Sequence, residues 1–293
     1  MQEHEFGFEW AHELEEGITR NLEGISCMEI IPENFFEGRF AHFLDLLREK
    51  QIPVAVHGVL LSIGSIDPLK RDHMRKVIEV SEGLNVSNFS EHLSLTEVQD
   101  VSLDALTPLA WTQQVADNVC RKVDEIQKMI DKPFLLENVS NRFIVPDTEY
   151  SEPQFINFIL SRTGCGLLLD VTNVYTNSRN FQFDPYEWID EIDLSKVQLV
   201  HLAGGVREPD GFLMDSHDNT VEPGSWELYR YVCERAPSFM TIIERTGNFP
   251  EFESLMAELD KAQQIVAELD DSPYVSGIKP SDGDLNLNRR LTP

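Results

Sequence analysis

The sequence predicts a single (β/α)8 barrel. Two observations carry that prediction: eight short apolar or β-rich runs alternate with eight longer amphipathic ones, and 293 residues is a length at which an α/β barrel folds as one unit. An open sheet also arises from such alternation, but its strand number is not fixed at eight, so the count favours closure. No sequence repeat accompanies the structural one.

In chain order, the strand Glu5–Glu9 leads to a helix over His12–Glu23, and Cys27–Ile31 to Gly38–Lys50. Val54–Val59 leads to Pro68–Gly83, whose start is marked by Asp67 ahead of the proline. Val86–Glu91 leads to Thr112–Asp131. Phe134–Glu137 leads to Pro153–Arg162, opened by Ser151 and Glu152, and Leu167–Asp170 leads to Pro185–Asp190, opened by Asp184. Gln198–Leu202 and Ser225–Arg235 form the seventh unit, Thr241–Glu244 and Glu251–Leu269 the eighth. Residues 1–270 therefore read as one barrel domain. Residues 271–293 lose the apolar periodicity and read as a C-terminal tail, either flexible or laid against the barrel.

A hydrophobic content of 41% excludes general disorder, no run approaches a membrane span, and the N-terminus lacks the basic and apolar regions of a signal peptide. The expectation is a cytoplasmic protein that does not enter a membrane. Cys27, Cys120, Cys165 and Cys233 are scattered without a CxxC pair, so neither a disulfide framework nor a thiolate metal site is indicated. With 24 basic against 51 acidic side chains the net charge is −27. That field repels phosphate backbones, which speaks against nucleic-acid binding, and attracts a cationic peptide or protein; it also suits a salt-rich habitat.

The chemistry emerges from the strand ends. The run Val197–Gly205 delivers His201 before an Ala-Gly-Gly turn, and the following loop sets Asp215 and His217 two residues apart, on one side of the chain if it is extended. The other strand ends supply His57, His92, Glu137, Asp170 and Glu244. Each alone has an ordinary reading: Glu137 as a loop cap, His57 as a satisfied core histidine, Glu244 as the partner of Arg245. Together they would converge on the C-terminal mouth of a barrel, where burying them without a cation carries a large desolvation and repulsion penalty. A metal cluster removes that penalty. With Asn173, nine candidates result, enough for two or three ions. Strand adjacency groups His57, His92 and Glu137 on one ion, and Asp170, His201 and Glu244 on a second, with Glu137 bridging. Asn173, Asp215 and His217 would hold a third. Oxygen and nitrogen donors without thiolate suit iron, manganese or zinc. Asn34, Ser90, Glu91 and Asn138 stand beside them as supporting or substrate-binding groups.

These motifs carry a resemblance. Glu33-Asn34-Phe35-Phe36, His57-Gly58-Val59, Ser90-Glu91-His92-Leu93-Ser94, Glu137-Asn138-Val139-Ser140, Asp170-Val171-Thr172-Asn173-Val174-Tyr175, His201-Leu202-Ala203-Gly204 and Asp215-Ser216-His217 resemble those of the multinuclear non-heme iron-dependent oxidative enzymes, the MbnB- and TglH-like TIM barrels. The match runs from the first strand through the eighth helix. It implies two or three iron ions (Fe2+/Fe3+), dioxygen as co-substrate, and modification of a residue, often cysteine, in a ribosomally made precursor peptide. A separate peptide-presenting protein commonly assists. Two features depart from the pattern: Gly205 stands where a second histidine often follows Ala-Gly, and the first strand starts almost at the N-terminus. The same ligand order also resembles three-zinc apurinic endonucleases and, more loosely, two-metal sugar isomerases. The net charge argues against the nuclease, and no lysine or histidine beyond the nine is identified for an isomerase. A metal-storing scaffold is the non-enzymatic alternative.

Overall fold

The computed structural model describes residues 4–270; the predicted tail lies outside the described residues. Eight parallel strands close into a barrel in sequential order: β1 (Glu5–Glu9), β2 (Cys27–Ile30), β3 (Pro53–Gly58), β4 (Asn85–His92), β5 (Phe134–Glu137), β6 (Gly166–Asp170), β7 (Val197–Leu202) and β8 (Met240–Ile243), with β1 paired to β8. All eight predicted strands are present within two residues at either end. No described helix is long and apolar enough to cross a membrane.

Strand periodicity divides the side chains into two sets. Outward residues such as Met28, Val56, Leu136, Leu169 and Val200 join the large core beneath the helices. Cys27, Ala55, Leu135, Leu168, Leu199, Met240 and Ile242 form a separate cluster inside the barrel. Two residues further along each strand, the same inward parity brings Glu29, His57, Glu137, Asp170, His201 and Glu244 to the C-terminal end. The apolar interior is therefore the floor of the mouth.

In β4 the parity is set by an irregularity. Val54 pairs with Val86 but Ala55 pairs with Asn88, so Ser87 is passed over. Val86 packs outward with the helix-side core. The extra residue shifts everything after it, placing Ser90 and His92 on the inside.

The helices are α1 (Glu15–Arg20), α2 (Ala41–Lys50), α3 (Arg71–Ser81), α4 (Gln113–Ile126), α5 (Glu152–Thr163), α6 (Val171–Phe181), α7 (Pro185–Glu191), α8 (Pro223–Cys233) and α9 (Phe252–Asp270). The predicted helix His12–Glu23 is broken into a short α1 between two 3-10 turns. Sequence reading assigned only Pro185–Asp190 after the sixth strand, whereas α6 precedes it. Its residues VTNVYTNSRNF are poor helix formers, and beside Val171 and Val174 it buries Thr172, Asn173, Thr176, Asn177 and Ser178, so its apolar stripe is thin. An antiparallel hairpin, Leu95–Val98 with Val101–Thr107, extends the loop after β4 and was also unforeseen, because its second strand is exposed up to Thr107 and lacks burial alternation.

A Cβ at Gly7 would lie 1.8 Å from the Cys27 carbonyl oxygen on the neighbouring strand. Gly7→Ala is expected to destabilise the barrel by about 3 kcal/mol, lowering the melting temperature by about 6–12 °C. Melting followed by circular dichroism would test this, and a variant that melts with the wild type would refute the close β1–β2 approach.

Candidate metal centre

The first group lies between β3, β4 and β5. His57 Nε2 and His92 Nε2 are 3.4 Å apart, and Glu137 Oε2 is 3.2 and 3.3 Å from them. Ligands about 2.1 Å from a common ion stand about 3.0–3.4 Å apart at octahedral or tetrahedral angles, so the three atoms have the spacing of one coordination shell. His57 Nδ1 is 2.9 Å from Ser90 Oγ, an inward neighbour that fixes the ring and leaves Nε2 facing the group.

The second group shares Glu137. Its other oxygen, Oε1, is 3.4 Å from His201 Nδ1, which lies 3.3 Å from Glu244 Oε2. Asp170 offers an atom within 4.8 Å of both Glu137 and His201. On the far side of the ring, His201 Nε2 donates to the fully buried Glu29 at 3.0 Å. That hydrogen bond holds a proton on Nε2 and turns Nδ1 toward Glu137 and Glu244, as the atom a metal ion would take.

A third group joins Asp170, His217 and Glu244. His217 Nε2 lies 2.7 Å from Asp215 Oδ1, and His217 Nδ1 lies 3.6 Å from Glu244 Oε2. The loop is not extended here: His217 has φ 49°, and this left-handed bend folds its ring back onto Asp215. Asn173 opens α6. Its backbone N–H donates to Asp170 Oδ1 at 2.7 Å and its Nδ2 donates to the Asn138 carbonyl at 3.1 Å. The Asn173 Oδ1 and Asp170 Oδ2 atoms are buried without a hydrogen-bond partner, as are Glu137 Oε2, His201 Nδ1, Asp215 Oδ1, His217 Nε2 and Glu244 Oε2. Buried polar atoms that approach one another yet remain unpaired fit a set of metal ligands.

The electrostatics agree with that fit. Burial opposes ionisation of Glu137, but the His92 and His57 imidazoles overcome it and hold the carboxyl well below its ordinary range. Burial likewise opposes Glu244, which His201 and His217 bring down to about 2. Asp170 is pushed well up by burial and then by Asp215, Glu244 and Glu137. Glu9, inward at the end of β1, is raised by burial and by the charges of Glu244 and Glu29. The group thus holds more acid than its imidazoles balance, a deficit that multivalent cations would fill.

All nine sequence-derived candidates sit at this end of the barrel. Asn138 supports the centre: its side chain accepts from the Asp170 N–H and donates to the Asp170 carbonyl. Glu91 lies behind His92, its Oε1 3.6 Å from His92 Nδ1, and also ties down loops by accepting from the backbone N–H groups of Leu61 and His92. Asn34 is half-buried on the turn after β2, where the neighbouring Glu33 takes the contacts to His73 and Val59. Arg245 pairs with Glu258 rather than with Glu244. Glu9 and Glu29 were missed. Glu9 was the last residue of a predicted strand, so the strand-end rule would have found it; Glu29 was hidden by a predicted strand extended to Ile31. At position 205 a Cβ would meet the Met214 carbonyl at 2.2 Å, so a side chain there requires a different loop.

Comparison with known proteins gives a consistent picture. The sequence matches the family described as "RiPP precursor modification enzyme MbnB/TglH/ChrH" over residues 5–267. It is 35% identical over 241 residues to a UPF0276 protein of Caulobacter vibrioides, covering 82% of this chain and 85% of the relative. A UPF0276 protein of Acaryochloris marina is 32% identical over 252 residues, covering 86% and 91%. Among solved structures, an L-ribulose 3-epimerase superposes with a TM-score of 0.57 at 12% identity, covering 92% of this chain and 99% of its own. A xylose isomerase-like TIM barrel/4-hydroxyphenylpyruvate dioxygenase fusion protein gives 0.63 at 11%, covering 95% of this chain and 46% of the fusion. At such identities these two share the barrel alone.

Because Glu137 faces two groups with its two oxygens, Glu137→Ala is expected to lose more metal than His217→Ala, which should empty one site. Elemental analysis of protein purified with iron and without air checks this; equal content in both variants and wild type would overturn the assignment. Glu29→Ala, which frees the His201 ring, should weaken metal binding about 10–100-fold, and an unchanged affinity in a chelator competition would show that Glu29 does not orient the ligand.

Proposed function

The chain belongs to the family of enzymes that modify precursors of ribosomally synthesised and post-translationally modified peptides (RiPPs), the family of MbnB, TglH and ChrH, and on that premise we propose that it uses iron and dioxygen to oxidise a residue, a cysteine foremost, of a precursor peptide. The observation that carries the reading is the carboxylate of Glu137 shared between two groups of buried oxygen and nitrogen donors. Such a centre would hold neighbouring ions, and its hard and borderline donors suit iron. His57, His92 and Glu137 would hold one ion, Glu137, Asp170, His201 and Glu244 a second, and Asn173, Asp215 and His217, with Asp170 or Glu244, a third.

Bound iron would supply one-electron redox chemistry and the activation of dioxygen. The chain's own residues prepare the place. Glu29 and Ser90 keep His201 and His57 in one ring orientation, and the floor of Leu135, Leu168, Leu199 and Ile242 closes the barrel interior to water from below. No described cysteine joins the candidate ligand groups. Cys27 lies inside the barrel, and burial pushes its thiol up, which keeps it protonated and a poor ligand. A substrate thiolate would meet no competing sulfur from these residues.

The rim supports a peptide rather than a sugar or nucleic acid. Nine large apolar side chains are conspicuously exposed among the described residues, and eight of them, including Ile66, Val101, Leu103, Phe143 and Ile144, lie in loops that follow the C-terminal ends of strands. Apolar surface collected around a site marks contact with a peptide or protein. The precursor, and a protein presenting it, would dock there. The chain's charge of −27 favours partners with basic patches and makes association sensitive to salt.

The deciding assay incubates anaerobically iron-loaded enzyme with a precursor peptide encoded nearby, and any companion protein, before admitting oxygen and following peptide mass. The expected result is a mass change that requires both iron and oxygen and disappears when the target cysteine is replaced by serine. The same product formed without oxygen, or by zinc-loaded protein, would refute an oxidative reaction.

A further inference from the structure

On the flank of the barrel, beside the loop that follows Glu137, a cavity of about 240 Å³ is lined by Trp111, Phe181 and Trp188 together with the half-buried Glu152 and the exposed Asp184, Glu187 and Glu191. Glu152, in the first turn of α5, is held in place from two sides. Its Oε2 accepts from Trp188 Nε1 at 3.1 Å and its Oε1 from Asn141 Nδ2 at 3.4 Å. None of the four carboxylates forms an ion pair among the described residues, although Glu191 accepts from Ser151 Oγ and Asp184 from the Tyr186 N–H. Burial pushes the Glu152 carboxyl up to about 7, and these two hydrogen bonds only partly offset that loss of water.

Aromatic rings and uncompensated carboxylates around one small cavity select a particular occupant. An anion is repelled by all four acids. A purely apolar group would complete the desolvation of Glu152, drive it to its neutral form and gain nothing from the acids around it. A guanidinium or ammonium satisfies both halves, stacking on indole and pairing with carboxylate. We propose that this cavity seats a basic side chain, arginine or lysine, of the precursor peptide. The identity of the peptide rests on the function proposed above; the demand for a cation rests on the cavity itself. Asn141 follows Glu137 by four residues, which bounds the distance between their Cα atoms at about 14 Å. One peptide can therefore reach both the cavity and the metal centre, and the cavity would anchor the substrate beside the reacting residue.

The probe is Nα-acetyl-arginine-N-methylamide titrated into the full chain, followed by tryptophan fluorescence, with the citrulline analogue as a neutral isostere. Saturable binding is expected on the order of millimolar, about tenfold weaker for citrulline, about tenfold weaker in Glu152→Gln, and weakened by salt. Glutamine still accepts from Trp188 Nε1 and gives up only the 3.4 Å bond from Asn141, and the isostere tests the charge on unaltered protein. Equal binding of both probes, binding unchanged in Glu152→Gln, or no saturation would each overturn the proposal. Because the titration needs neither iron nor oxygen, its failure is distinct from a failure of the oxidation assay.

Discussion

The mouth of this barrel is governed by one electrostatic constraint. The carboxylates of Glu9, Glu29, Glu137, Asp170, Asp215 and Glu244 share a buried space with the imidazoles of His57, His92, His201 and His217, and none is paired with a lysine or arginine among the described residues. An uncompensated buried ion costs several kcal/mol, so this set cannot be fully ionised unless positive charge is present. Protons are one source, as the raised carboxyls of Asp170 and Glu9 indicate. Metal ions are the other, and taking them up expels those protons. A closed barrel suits the task because every strand is held on both sides, which keeps like charges from relaxing apart.

Much of this was readable in advance. Strand candidates were recognisable because their outward and inward faces are both buried, giving continuous apolar runs that stop abruptly at a polar residue. His57, Glu137, Asp170 and His201 stand at such stops. Glu29 did not, because Ile30 and Ile31 follow it and the apolar run conceals the acid two residues before its end. The grouping by adjacent strands matched the parallel, sequential order of the barrel. What adjacency could not supply was the cross-barrel contact from Glu29 to His201, 172 positions apart in sequence.

The unforeseen helix α6 shows a different limit. Asp170 ends the strand, caps the helix through Oδ1 and leaves Oδ2 free, so strand and helix meet without a loop. The polar residues that weaken its helical signature hold the neighbouring loops: Thr172 bonds to Ala203, Asn173 to Asn138 and Asn177 to Val139. Local propensity and amphipathic pattern were given up for a polar network that positions two loops of the mouth. Sequence rules fail here because the helix packs against the candidate metal centre as well as the apolar core, which takes only Val171, Val174 and part of Tyr175 from it.

The residue passed over in β4 has a wider consequence. Val86 faces the helices and Asn88 the interior, so Ser87 is the one residue of β4 that plain alternation does not need. A single-codon deletion there would close the bulge and leave Ser90 and His92 facing inward. One residue inserted after Asn88 would instead turn both toward the helices unless a second bulge took it up. The strand thus tolerates losing a residue at its start and does not tolerate gaining one near the donors.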